Sequence, residues 1–332
     1  MPARRLFGSA FRVVRRISTR IEIPPEIVKE ISKINTNAPK NQVVPNSTQI
    51  DECKKELERI YEEQIKFREV ADELYKACNK SVVKSIAVSF KRVEESGRTN
   101  VNPFFQPTLI ATSLLAGMGY KPFYNKENCL AFTLVDPNNK NAISGHQDSI
   151  ILKNTPSLMP AFLLVNGYST SKAITWVKES ADIISELKEK YPSSYEILKK
   201  LNFSYRSKNS DESGTRRIIG DDDEINFVSN FIYNPVPTDL KRFNIFKDEA
   251  DLAILRFREV VNSQENRHQF VINNKCVQIL FVKNLDSLHG RGEVEKGADR
   301  LLIGIPLNQP ASEAVAPIDS SKVNKQEKIK TA

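Results

Sequence analysis

The sequence predicts a protein of mainly β-structure with helices, in which a helical N-terminal layer precedes a strand-rich second half. Short apolar runs bounded by Pro, Asn or Gly are typical of strands, and they recur throughout the later part of the chain. These runs cover residues 130–135, 149–152, 162–166, 269–273, 277–283 and 301–307. Between residues 49 and 78 the apolar residues recur at helical spacing instead, which predicts one long amphipathic helix.

Three further segments have helical patterns. Residues 107–119 end in closely spaced glycines, as expected for a helix with glycine just past its end. Residues 172–201 and 248–261 also place apolar residues at helical spacing. In the last of these segments the apolar positions are Leu252, Leu255, Phe257 and Val261. Residues 225–232 are strand-like and follow an acidic turn.

The composition divides the chain into four parts. Residues 1–20 form a basic amphipathic extension, 21–100 the helical layer, 101–308 the core and 309–332 a disordered basic tail. The 332 residues are 40% apolar and 27% charged, which is ordinary for a globular protein. No run approaches the roughly 18 apolar residues of a membrane span.

The net charge of +8 is carried by the two ends of the chain. Residues 1–20 hold six arginines and no acid, and residues 322–332 hold four lysines against one glutamate, so the body between has a net charge of −1. A basic nucleic-acid-binding face on the core is therefore not expected, and nucleic acid is not a predicted partner.

The arginine-rich first twenty residues have one apolar side if they are helical. Three interpretations remain open: a mitochondrial transit peptide, an interfacial membrane anchor, or a poorly ordered extension. The four cysteines show no ligand spacing and fit reduced thiols inside a cell. We therefore expect a cytoplasmic protein, or a mitochondrial one if its source is eukaryotic.

Two of the three histidines lie in patterns that fit a metal site. His146 and Asp148 are two residues apart, so on a strand they project to one face. About 0.4 such histidine–x–acid triplets are expected by chance, so the triplet alone is weak. With His289 it completes the smallest protein ligand set for an open mononuclear iron(II) site. Arg300 follows, and its guanidinium suits the carboxylate of an anionic co-substrate.

Other interpretations of these residues remain open. Two histidines and a carboxylate also suit zinc, which keeps a zinc hydrolase possible although the HExxH pattern is absent. His268 has no flanking motif and is interpreted as a surface or hydrogen-bonded core histidine. Trp176, the single tryptophan, is interpreted as core packing.

Several ordered landmarks carry a resemblance over residues 102–307. They are Leu114-Leu115-Ala116-Gly117-Met118-Gly119-Tyr120, Leu134-Val135-Asp136-Pro137, His146-Gln147-Asp148, Ala173-Ile174-Thr175, a strand ending at Asn284, Leu288-His289-Gly290-Arg291 and Asp299-Arg300-Leu301-Leu302. With them the chain resembles the taurine dioxygenase and clavaminate synthase-like superfamily of iron(II)/2-oxoglutarate oxygenases. Within it, the chain is most similar to members that hydroxylate free amino acids.

The resemblance implies a double-stranded β-helix (jelly-roll) core with flanking helices. It further implies that His146, Asp148 and His289 are the catalytic iron ligands, and that Arg300 and Thr175 bind 2-oxoglutarate. The cofactors would be Fe(II), 2-oxoglutarate and O2, with succinate and CO2 released. Because Asp148 is retained, hydroxylation or desaturation is expected rather than halogenation. A binding protein with a spent metal site is the alternative.

The resemblance leaves the substrate open. It would be a small amine-bearing molecule, either a free amino acid or one attached to a carrier. Lys283 before Asn284, Gly304 and the short spacing from His289 to Arg300 depart from the amino-acid hydroxylase pattern. Two acidic residues have two interpretations, a substrate-binding lid as in arginine-hydroxylating relatives or a solvated acidic turn. These residues are Asp222 and Asp223.

Overall fold

The computed structural model describes residues 19–22, 42–79, 85–91, 104–135, 140–152, 155–158, 161–207, 213–229, 231–271, 276–298 and 300–308. Nearly all of the predicted basic extension, and the whole predicted tail, lie outside these residues. No helix within the described ranges is both long and apolar enough to cross a bilayer.

The described chain contains both helices and strands. The helices are α1 (Ser47–Glu63), α2 (Ile65–Asn79), α3 (Phe105–Gly117), α4 (Ser180–Lys190), α5 (Pro192–Lys200), α6 (Pro237–Phe243) and α7 (Lys247–Asn262). The strands are β1 (Thr19–Glu22), β2 (Ser85–Lys91), β3 (Lys121–Pro122), β4 (Thr133–Val135), β5 (Ile143–His146), β6 (Ser149–Leu152), β7 (Thr155–Leu158), β8 (Ala161–Ser169), β9 (Ile174–Glu179), β10 (Phe203–Ser207), β11 (Ser213–Arg216), β12 (Phe231–Pro235), β13 (Arg267–Val271), β14 (Cys276–Lys283), β15 (Ser287–Arg291) and β16 (Arg300–Asn308).

The single long helix predicted for residues 49–78 is wrong, because the chain forms two helices there. A capping box of Asn46 and Gln49 begins α1, with their side chains accepting each other's backbone N–H. The backbone of Gln64 is extended, with φ −121° and ψ 109°, and separates α1 from α2. The Tyr61 hydroxyl then donates to Asp72 across the break at 2.8 Å. The break lets the apolar faces of both helices pack into one core.

The helical pattern predicted from residue 172 is also wrong at its start. Residues 174–179 form β9, and the helix begins only at Ser180. Ile, Thr, Trp and Val dominate this stretch, and such residues favour a strand when neighbouring strands pair on both sides. Likewise, only the end of the strand-like run 225–232 is a strand, since β12 begins at Phe231.

The larger sheet has the strand order β1-β2-β14-β8-β16-β3, and β4 also pairs with β16. Its described pairs are antiparallel except for the parallel pair of β1 and β2. Both of these strands precede residue 101. The segment predicted as a helical layer therefore also supplies β2 and the second half of β1, whose first half lies in the predicted extension.

The smaller sheet has the order β13-β9-β15-β5, and its pairs are antiparallel. The two sheets pack against each other through a small apolar cluster, to which both contribute. Its buried members are Phe162, Leu280 and Val282 from the larger sheet and Val177 and Phe270 from the smaller. We call the surfaces that meet at this cluster the inner faces of the two sheets.

Helices cover the outer faces. Helices α1, α2 and α3 pack on the larger sheet, whereas α4, α5 and α7 pack behind the smaller one. Of the apolar residues that indicated α7, Phe257 and Val261 are buried. Leu252 and Leu255 are 43% and 62% exposed, because Ala250, Ala253 and Ile254 form much of the buried stripe instead.

Lys178 ties the smaller sheet to two of these helices. Its fully buried ammonium donates to the Glu186 carboxylate of α4 at 2.7 Å and to the Val260 carbonyl of α7 at 2.6 Å. It also donates to the Ser263 hydroxyl at 2.8 Å. All three of its protons are satisfied, as a buried charge requires.

Trp176 packs on the outer face of the smaller sheet and is 4% exposed, which confirms its prediction as a core residue. Its ring lies against two glycines on neighbouring strands. A Cβ added at Gly145 would lie 2.5 Å from the ring, and one added at Gly290 would lie 2.3 Å from it. Real Cβ atoms do not approach that closely, so the indole requires glycine at both positions.

We expect Gly290→Ala to destabilise the protein by about 1–3 kcal/mol, because the added methyl overlaps the Trp176 ring. Gly292→Ala is the matched control, since the nearest atoms to its added Cβ are 3.8 Å away. Urea denaturation measures both. Equal midpoints for the two variants would contradict the packing described here.

Candidate metal centre

The smaller sheet brings His146 and His289 together although they are far apart in sequence. His146 is the last residue of β5, and the antiparallel register places it directly opposite His289 of β15. Cross-strand partners project to the same face, and the two imidazole centroids are 4.3 Å apart. The Phe162 ring of the larger sheet lies 4.7 Å from the His289 ring and covers it.

Asp148 completes a convergent ligand set. Its Oδ1 lies 3.6 Å from His146 Nε2, and its Oδ2 lies 3.5 Å from His289 Nε2. The three donor atoms, one from each of His146, Asp148 and His289, all lie within 4.8 Å of one another. The Nδ1 of His146 lies 2.8 Å from the Ser144 carbonyl, which holds the proton there and leaves the Nε2 lone pair for a cation.

The electrostatics favour the metal-binding forms of two ligands. Burial raises the pKa of Asp148, but the nearby His289 and His146 outweigh it and hold that pKa at about 2. Burial and the neighbouring His146 lower the pKa of His289 to about 3. At neutral pH Asp148 is therefore ionised and His289 is neutral, as ligands must be.

The pKa of His146 is shifted in the opposite direction from that of His289. Burial lowers its pKa, but the hydrogen bond and charge of Asp148, with the Ser144 carbonyl, prevail and raise it above the ordinary histidine value. A proton therefore competes with a cation for this nitrogen as the pH falls.

Two buried side-chain amides fix the position of the loop that carries Asp148. The Asn284 side chain accepts from the Asp148 N–H and donates to the Asp148 carbonyl, both at 2.9 Å. Gln147 exchanges two 2.9 Å hydrogen bonds with the backbone of Phe227, and its Nε2 donates to the Asn284 carbonyl. Gln147 and Asn284 are fully buried. They tie the Asp148 loop to the turn that leads into β15 and His289.

Arg300 and Thr175 meet beside this centre. Arg300 begins β16, is 4% exposed and donates from Nη2 to the Thr175 hydroxyl at 2.5 Å. Its Nε and Nη1 are buried and have no hydrogen-bond partner among the described residues. Burial and the nearby Arg291 lower the pKa of Arg300 to about 10, and Glu295 opposes them. A buried guanidinium with free donors fits an anionic ligand.

The sheet register places Thr175, the hydrogen-bond partner of Arg300, next to the histidines. Thr175 lies opposite Arg291, and Val177 lies opposite His289 on the same pair of strands. Because side chains alternate along a strand, all four project to the inner face. The donors of Arg300 therefore lie at one end of the inner face, and the candidate metal ligands lie next to them.

The acidic turn lies elsewhere. Asp223 accepts from Lys188 and Lys199 at 2.7 Å and from the Tyr195 hydroxyl at 2.5 Å. These bonds outweigh burial and hold the pKa of Asp223 well below its usual range. Asp222 is exposed. The carboxylate of Asp223 is thus already paired with helices α4 and α5, which favours the interpretation as a structural turn.

Sequence reasoning did not single out the residues that support the ligands. Gln147 and Asn284 stood inside the landmarks but had no assigned role, and Phe162 lay in a strand with no motif. The signal for the amides was their position, directly beside a ligand and three residues before β15. His268 lies outside the cluster of His146, Asp148 and His289, and its Nε2 lies 3.6 Å from Glu179 Oε1.

Solved structures share this architecture over most of the chain. One is the non-heme iron oxygenase OrfP in complex with Fe, succinate and (3R,4R)-dihydroxy-L-Arg, with a TM-score of 0.55 and 13% identity over 87% of this chain and 93% of that one. OrfP in complex with Fe and alpha-ketoglutaric acid has a TM-score of 0.51 and 14% identity over the same shares.

An asparagine oxygenase in complex with Fe(II), 2S,3S-3-hydroxyasparagine and succinate has a TM-score of 0.55 and 10% identity over 86% of this chain and 92% of that one. No protein-family model and no curated protein matches the chain. The chain has the overall fold of these non-heme iron oxygenases, which confirms the predicted resemblance at the level of fold.

Proposed function

We propose that the protein is an Fe(II)- and 2-oxoglutarate-dependent oxygenase that hydroxylates an unactivated C–H bond of a small amine-bearing substrate. The observation that carries the proposal is the convergence of His146, Asp148 and His289 beside the unpartnered donors of Arg300. A metal ligand set next to a buried anion site is what a metal-chelating dicarboxylate co-substrate requires.

The donor set fits iron. Two imidazole nitrogens and one carboxylate leave open coordination positions, which an oxygenase needs for co-substrate and O2. When bound, the iron supplies the chemistry that couples decarboxylation of 2-oxoglutarate to succinate and CO2 with oxidation of the substrate. The fold supports the same assignment, since OrfP, an oxygenase of similar fold, has been solved in complex with Fe and alpha-ketoglutaric acid. We further propose that the two facing sheets form a double-stranded β-helix.

Each side chain has a separate task. His146, Asp148 and His289 bind the metal, and Asn284 and Gln147 fix the carboxylate relative to the imidazoles. Arg300 and the Thr175 hydroxyl bind the distal carboxylate of 2-oxoglutarate. Phe162 covers His289 and limits the approach of water to the ligands.

Two alternatives are weaker on specific grounds. A zinc hydrolase would use the same three donors, but it has no use for the buried anion site formed by Arg300 and Thr175. A binding protein with a spent metal site would have no reason to retain ligands within 4.8 Å of one another. The proposal includes two forms of substrate, a free amino acid and an amino acid attached to a carrier protein.

The first experiment adds Fe(II) and 2-oxoglutarate under anaerobic conditions. We expect a visible charge-transfer band of the chelate in the wild type, and succinate when air is admitted. Asp148→Ala should lose both, because it removes the only carboxylate of the ligand set. A wild-type protein that gives neither band nor succinate would sink the proposed function.

Arg300→Met separates co-substrate binding from metal binding. We expect 2-oxoglutarate affinity to fall by about 30-fold or more, while the affinity for Co(II) is unchanged. The free protein should be equally or more stable, because the variant removes a buried charge with unpartnered donors. Titration calorimetry and thermal unfolding measure these effects. Retention of wild-type 2-oxoglutarate affinity would contradict the assigned role.

Asn284→Asp tests the amide that holds the ligand loop. The new carboxylate would face the Asp148 carbonyl, so one hydrogen bond is replaced by a repulsion. We expect the affinity for Co(II) to fall by about 10- to 100-fold, with a changed Co(II) absorption spectrum. Asn202→Asp is the control, because it makes the same change beside Asp239, away from the metal ligands. It should lower stability and leave Co(II) binding intact, whereas equal Co(II) affinity in both variants would refute the role of Asn284.

A further inference from the structure

Glu179 is the single acidic residue in the four strands of the smaller sheet, all of which are described. It ends β9 and lies opposite Ser287 of β15. Thr175 and Val177 precede it at two-residue intervals, so its side chain projects to the same inner face. Glu179 also lies on the same face as His268, whose Nε2 is 3.6 Å from its Oε1.

This half-buried carboxylate has one charged neighbour, His268, and no hydrogen bond among the described residues. The Glu179 side chain is only 16% exposed, and that of His268 is 11% exposed. Glu179 occupies the N-cap position of α4, yet its side chain makes no capping hydrogen bond. The distance to His268 exceeds that of a hydrogen bond.

Other carboxylates around this sheet are engaged. Glu186 accepts from Lys178 and Lys190, and Glu295 accepts from Ser171. Glu179 makes no such hydrogen bond among the described residues, so its carboxylate oxygens can accept from a cationic ligand. The Glu179 carboxylate is therefore available to bind a ligand.

The position of Glu179 relative to the metal ligands indicates what that partner is. Along β15, Arg291 follows His289 by two residues, and Ser287, the partner of Glu179, precedes it by two. Arg291 and Glu179 thus lie on opposite sides of His289, each about 7 Å away. The inner face is positive at the co-substrate end and has its one strand-borne carboxylate at the other end.

We propose that Glu179, with His268 beside it, binds the cationic group of the substrate, an ammonium or a guanidinium. This inference rests on the proposed function and identifies the side chain that selects the amine-bearing substrate. An anionic co-substrate is drawn to Arg300, and a cation at Glu179 lies on the opposite side of His289. A substrate held there by its cation places neighbouring carbons beside the metal ligands.

The test compares matched probes that differ in charge and little in shape. L-arginine is paired with L-citrulline, and L-lysine with L-norleucine. Each is added to the Fe(II)/2-oxoglutarate complex, and binding is followed by the shift of the chelate band and turnover by succinate release. We expect at least one cationic probe to shift the band and to exceed its neutral partner by about 30-fold or more in affinity.

Glu179→Gln should abolish that preference, mainly by raising KM for the cationic probe. Its chelate band without substrate should match the wild type, since the described residues show no hydrogen bond or ion pair between Glu179 and the proposed metal ligands or Arg300. Glu189→Gln is the matched control, because it removes an exposed carboxylate of α4. It should leave the preference unchanged.

The possible negative results distinguish a failure of the proposed function from a failure of this inference alone. A wild type without a chelate band overturns the proposed function and this inference together. A wild type that forms the band but responds to neither cation, or equally to the neutral partners, overturns the inference alone. A Glu179→Gln protein that keeps the wild-type preference for the cation also overturns it.

Discussion

The register of β15 between β9 and β5 is the constraint on which the candidate site depends. In that register His289 faces His146 across the strands, and Gly290 faces outward against Trp176. Because side chains alternate along a strand, a slip by one residue would turn His289 outward and bring a side chain against the indole. The indole therefore excludes the shifted register. The side-chain amides of Gln147 and Asn284, which fix the Asp148 loop, stabilise the observed register.

Most residues of the candidate site could be predicted from the sequence, and those that were missed were missed for physical reasons. Histidines and arginines in ordered patterns can be found because few side chains bind metals or carboxylates. The start of β9 was mistaken for helix because a short apolar stretch fits both periods, and only strands on both sides decide between them. The break at Gln64 and the outward Leu252 and Leu255 likewise follow from packing partners distant in sequence.

The supporting groups were hidden for a different reason. Amides such as Asn284 and Gln147 bind backbone atoms, which every residue offers, so no spacing rule reveals them. The structure exposes them through the completeness of their hydrogen bonds. It exposes Arg300 through the opposite property, since this guanidinium is buried and two of its nitrogens have no hydrogen-bond partner among the described residues. Satisfied polar groups hold this fold, and unsatisfied ones indicate where ligands are expected.

Trp176 has one more consequence. It is the only tryptophan in the chain, and its ring lies against Gly145 and Gly290, the immediate neighbours of His146 and His289. The Arg267 guanidinium stacks on the ring at 3.9 Å, in a region shielded from solvent. Small movements of either histidine strand must alter the surroundings of this one indole. The protein thus contains its own fluorescent reporter for events at the inner face, with no label needed.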